Sequence, residues 1–72
     1  MTSSPTISIT ANGKTYQIQP NLIIPEFLEQ LQLTPRRVVV EYNKQALTPA
    51  EMKQQVLQDG DALEIVKVVA GG

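Results

Sequence analysis

Apolar and polar residues alternate from the seventh position. Ile7, Ile9 and Ala11 share one face of an extended segment, and Ser8 and Thr10 share the other. This two-residue period is that of a half-buried strand. Asn12-Gly13 follows, a pair suited to the positive φ angles of a tight hairpin turn. Tyr16 and Ile18 resume the alternation, so strands over about 6–11 and 14–19 are expected to form a hairpin. Past Pro20-Asn21 the period changes. Ile24, Phe27, Leu28 and Leu31 recur at i, i+3, i+4 and i+7, with Glu26, Glu29 and Gln30 opposite them. That is the stripe of an amphipathic helix. Pro25 suits its first turn, where a missing N–H is no loss. Ile23 stands at the cap position without a side-chain acceptor, and Thr34-Pro35 is expected to end the helix.

Val38-Val39-Val40 is a continuous β-branched run, the pattern of a strand buried on both faces. Asn43-Lys44-Gln45 reads as a turn and Ala46-Leu47 as a short strand. Thr48-Pro49-Ala50-Glu51 has the spacing of a capping box, so a short helix is expected over 49–55. Gln58-Asp59-Gly60-Asp61 is a tight turn. Leu63 and Ile65 alternate with Ala62 and Glu64 in a last strand, after which the alternation fails. The order is hairpin, helix, strand, short strand, short helix, strand. One helix across one mixed sheet makes a two-layer α+β domain. The order is that of the β-grasp, or ubiquitin-like, fold, with four to five strands packed on one main helix.

Composition narrows the chemistry. The chain has 72 residues, enough for one domain, with 42% hydrophobic residues, and it contains neither Cys nor His. It therefore has no thiol nucleophile, imidazole base or zinc site of the usual kind, and no cofactor or metal is expected. The absence of Cys gives no sign of an oxidising compartment, and the cytoplasm is the expected location. Six basic and seven acidic residues give a net charge of −1 and no basic run, so nucleic acid is not an expected partner. Arg36-Arg37 is the only basic pair and reads as a solvated approach to a strand. Asp59-Gly60-Asp61 lacks the further acids of a calcium loop. Tyr16 and Tyr42 read as residues at the core edge. No signal peptide or membrane-spanning segment is expected.

What remains is the end of the sequence, Val66-Lys67-Val68-Val69-Ala70-Gly71-Gly72. A carboxylate is a poor electrophile. Joined to AMP as a mixed anhydride it acquires a good leaving group, and a sulfur nucleophile can then convert it to a thiocarboxylate. Threading such a group into a narrow enzyme channel favours glycine, which has no Cβ to meet the walls. Residues 69–72 are expected to form a flexible tail with a reach of roughly 13 Å, at about 3.3 Å per residue. A frayed terminus is the plainer reading of Gly71-Gly72 taken alone. The absence of a linker between the glycines and the last core strand favours the tail. Ile65 and Val66 are neighbours and cannot both face inward on a regular strand. Either a valine near the tail faces outward, in a docking patch drawn from Val66, Val68 and Val69, or a β-bulge intervenes.

These residues carry a resemblance. The opening hairpin through Asn12-Gly13, the segment Glu26-Phe27-Leu28-Glu29-Gln30-Leu31 and the valine strand with Asn43 are similar to the sulfur carrier proteins of thiamine biosynthesis (the ThiS type). So are Val56-Leu57-Gln58-Asp59-Gly60-Asp61 and Val68-Val69-Ala70-Gly71-Gly72. The resemblance implies a single domain over 1–72 that is not itself an enzyme. It implies that an ATP-dependent adenylating enzyme activates the Gly72 carboxylate. A persulfide donor then supplies sulfur, and a thiazole synthase receives it. Gly71 and Ala70 would lie in the partner's channel, with Val66, Val68 and Val69 against its surface. Two features depart from the family: Ile23 replaces a hydroxyl residue at the helix cap, and the N-terminus is slightly longer. The small subunit of molybdopterin synthase also ends in Gly-Gly, as do protein-conjugating modifiers. Lys67-Val68-Val69 stands where the former often carries prolines. A pure binding module with a dispensable tail is the alternative of a different class.

Overall fold

The computed structural model describes residues 5–68. Strand β1 spans Ile7–Ala11 and β2 spans Lys14–Ile18, paired antiparallel from Ile7↔Ile18 to Ala11↔Lys14. Asn12 and Gly13 take φ of 52° and 79°, the two left-handed centres that a tight hairpin turn requires. The hairpin is therefore as expected.

Helix α1 spans Ile24–Gln30. Its first turn is satisfied from one side. Ile23 cannot cap with its side chain, but its own N–H donates to Glu26 Oε1 at 3.0 Å. At the other end the helix stops well before the expected Thr34-Pro35. Gln32 takes φ 61°, its N–H donates to the Glu29 carbonyl at 2.9 Å, and that of Leu33 donates to the Leu28 carbonyl at 2.9 Å. This is a Schellman closure with glutamine in the left-handed position. The expectation placed too much weight on proline as the breaker. Pro35 instead opens a 3-10 turn, Pro35–Arg37.

Strand β3 (Val38–Tyr42) and β4 (Gln45–Leu47) form a second hairpin, with Asn43 and Lys44 at φ 48° and 73°. Helix α2 spans Pro49–Gln54 and carries the complete capping box. The Glu51 N–H donates to Thr48 Oγ1 at 3.1 Å, and the Thr48 N–H donates to Glu51 Oε1 at 2.8 Å. Strand β5 spans Ala62–Lys67. The five strands lie in the order β2-β1-β5-β3-β4, with β1 and β5 parallel and the other neighbours antiparallel. This is the β-grasp architecture.

One face of the sheet is covered. Ile9 and Ala11 of β1, Ile18 of β2, Val38 and Val40 of β3, and Leu63 and Ile65 of β5 meet Ile24, Phe27 and Leu28 of α1, with Met52 and Leu57 closing the side. Fully burying an aliphatic or aromatic side chain of this size stabilises by about 1.5–3 kcal/mol. The Phe27 ring meets the edge of Tyr16 at 5.4 Å between centroids. The reading of Val38–Val40 as doubly buried is corrected here: Val38 and Val40 are inside, but Val39 is 47% exposed. The helices lie on a single face, so alternate residues of the central strands reach the surface.

Candidate functional site

Two asparagines that read as turn residues also fix β5, the strand that leads to the chain's last residues. At its start, the Ala62 N–H donates to Asn43 Oδ1 at 2.8 Å, and the Asn43 N–H donates to the Ala62 carbonyl at 2.7 Å. Near its end, Asn12 Nδ2 donates to the Ile65 carbonyl at 3.0 Å, and the Ile65 N–H donates to Asn12 Oδ1 at 2.7 Å. The Asn12 amide thus acts as one more peptide group, continuing the β1–β5 pairing past the point where β1 turns away. Nothing in the sequence separates this role from the turn role. Asn12→Gly keeps the left-handed turn and removes both side-chain bonds. It is expected to cost about 1–3 kcal/mol, read by denaturant unfolding, with the hairpin intact.

On both sides of the Asn12 clamp, β5 pairs with β3 without interruption from Tyr42↔Leu63 to Val38↔Lys67. No bulge intervenes. Ile65 faces the core and Val66 faces out, 61% exposed. Val39 stands directly opposite Val66 on the same outer face. The Val68 N–H donates to the Arg37 carbonyl at 2.8 Å, and Val68 is 51% exposed. Val39, Val66 and Val68 are thus three outward valines on adjacent strands at the end of the β3–β5 ladder. Elsewhere the sheet's outer face is lined by residues such as Ser8, Thr10, Thr15 and Gln17. The outward Val66 and Val68 are as expected. Val39 was missed, although a sheet covered on one face places every second residue of β3 outside. The other candidate site residues, Val69, Ala70, Gly71 and Gly72, lie outside the described residues.

The remaining polar groups hold the fold together away from this end. Asp61 is buried, and its Oδ2 accepts the Gln58 N–H at 2.7 Å while Oδ1 accepts from Asn43 Nδ2 at 3.2 Å. The Tyr42 hydroxyl accepts from Gln55 Nε2 at 3.1 Å. Burial, and then the neighbouring Asp61 carboxylate, push its pKa up to about 12. A phenol held neutral beside a structural carboxylate, at the start of β5, is no acid catalyst for chemistry at the other end. Among the described residues no three metal-ligating side chains come together, and no helix is long and apolar enough to cross a membrane.

Comparisons with known proteins bear on the fold and the family. The model of the ThiS family matches residues 9–72. The sulfur carrier protein ThiS of Escherichia coli is 29% identical over 66 residues, covering 92% of this chain and 100% of that protein. A thiazole synthase of Paramagnetospirillum magneticum is also 29% identical over 66 residues, but the chain spans only 20% of that much longer protein. The crystal structure of the thiamine biosynthesis protein ThiS from Geobacter metallireducens superposes with a TM-score of 0.77 at 29% identity, covering 92% of this chain and 100% of that one. A family match that runs from the first core strand through both glycines, over a shared fold, places the chain: it belongs to the ThiS family.

Proposed function

We propose that the chain carries sulfur for thiazole formation in thiamine biosynthesis, as a protein co-substrate of partner enzymes. The Gly72 carboxylate attacks the α-phosphorus of ATP on an adenylating enzyme, giving an acyl adenylate and pyrophosphate. A persulfide sulfur attacks the acyl carbon and expels AMP. A thiol then reduces the resulting acyl disulfide, cleaving its S–S bond and leaving the Gly72 thiocarboxylate. A thiazole synthase takes up that sulfur. The chain itself supplies the acyl group, a stalk of Val69-Ala70-Gly71 and a docking surface.

The observation that carries this reading is the placement of Val39, Val66 and Val68. Apolar groups on the outer face gather where the chain leaves the sheet. An exposed apolar patch marks a contact surface, and this one would seat the body while the stalk enters the channel. The matched thiazole synthase supports the acceptor, since a segment like this chain makes up a fifth of its length.

The test is ATP–pyrophosphate exchange by the adenylating enzyme, dependent on added carrier. The wild-type chain is expected to support exchange. Val66→Asp places a charge against an apolar partner surface and is expected to raise the KM for carrier by at least about tenfold. Its melting temperature should change little, because Val66 is exposed. No exchange with the wild-type chain refutes the reading.

A further inference from the structure

The arginines of the 3-10 turn are not absorbed by the function proposed above. Arg37 is held at the root of the stalk, its carbonyl bonded to the Val68 N–H at 2.8 Å. On the neighbouring strand Lys67 stands opposite Val38. Arg37 and Lys67 line one cleft of about 290 Å³, with Gln32, Leu33, Thr34 and Val68 around them. Among the described residues no carboxylate lines it. A second cleft, on the other side of Lys67 toward Asn12 and Tyr16, also has none among the described residues. The chain as a whole carries a net charge of −1, so this end is locally opposite in sign to the molecule. A cleft with two exposed cations, and no anion among the described residues, is complementary to a carboxylate.

We propose that an Asp or Glu side chain at the mouth of the adenylating enzyme's channel enters this cleft between Arg37 and Lys67. The proposal rests on the carrier reading and adds the chemistry of the partner's rim. The outward valines give the contact its area, while the ion pairs orient it. A basic end on a slightly acidic body turns the molecule stalk-first toward an acidic rim before contact. The distance is constrained as well. The four residues from Val69 to Gly72 reach roughly 13 Å at about 3.3 Å each, so the partner's carboxylate should stand within about that distance of its adenylation site.

Pyrophosphate exchange over a range of carrier concentrations and ionic strengths tests this. Exposed ion pairs each contribute up to about a factor of five, so Arg37→Gln/Lys67→Gln is expected to raise the KM for carrier about tenfold. The kcat should be unchanged, and KM should depend less on salt than in the wild type. Arg37→Glu/Lys67→Glu should raise KM further. Lys44→Gln, in the β3–β4 turn at the other end of the ladder, should leave KM unchanged. If the double reversal moves KM by less than about twofold, or Lys44→Gln moves it as much as the double Gln variant, the cleft has no such partner. Exchange by the wild-type chain decides separately whether the carrier reading stands.

Discussion

Removal of Gly71 and Gly72 is expected to abolish sulfur loading while leaving the domain as stable as before. Two residues contribute roughly 7 Å of reach at about 3.3 Å each. Without them the terminal carboxylate would stop short of the nucleotide, and no local adjustment of the sheet could recover that distance. The body has no share in the loss, because among the described residues the buried core runs from Ile9 to Ile65. Gly72→Ala is the finer version of the experiment. It keeps the length and adds one methyl group beside the reacting carbonyl. A displacement of about 1 Å at a reacting centre can cost about a hundredfold in rate, and a loss of that order is expected in loading. The melting temperature should not move in either variant. Loading of Gly72→Ala at the wild-type rate would remove the argument for a channel that only glycine fits.

The largest effect on stability is expected at Phe27. Its side chain is 1% exposed, in the middle of α1, and it meets both the sheet and the edge of Tyr16. Phe27→Ala removes a ring from the centre of a single-layer core, and such changes cost about 3–5 kcal/mol. At about 0.05–0.15 kcal/mol per residue, a domain of this length has about 4–11 kcal/mol in total. The variant should therefore lose about a quarter or more of its stability, and at the low end of that range it approaches global unfolding. Denaturant unfolding followed by circular dichroism reads this directly. Phe27→Leu, which retains most of the volume, should recover much of the loss. A cost below about 1 kcal/mol for Phe27→Ala would mean that the core is not centred on α1.

The sequence made the fold readable because each element has its own local cause. The alternation of Ile7, Ile9 and Ala11, the Asn12-Gly13 turn, the Ile24–Leu31 stripe and the Thr48–Glu51 box each act within a few residues, and each appears where its pattern places it. What was hidden depends on distant partners. Val39 is outside because no layer among the described residues covers the second face of the sheet, which its β-branched neighbours cannot reveal. The helix ends at Gln30 through a glutamine in the left-handed region, a conformation for which glycine would have been the recognisable signal. Asn12 clamps Ile65 across 53 positions of sequence, an interaction visible only once β1 and β5 lie side by side. Of the site, the outward Val66 was legible because two adjacent apolar residues cannot both face the core. The cleft formed by Arg37 and Lys67 was not, because it joins a 3-10 turn to the end of β5.

The last residue is expected to become a thiocarboxylate. Intact-mass analysis tests it most directly, on protein with its native C-terminus incubated with ATP, the adenylating enzyme and a persulfide donor. The expected product is a species with one oxygen replaced by sulfur, which an alkylating reagent labels at Gly72. A product that remains wholly the carboxylate, under conditions in which the enzyme and the donor are shown to be active, would contradict it.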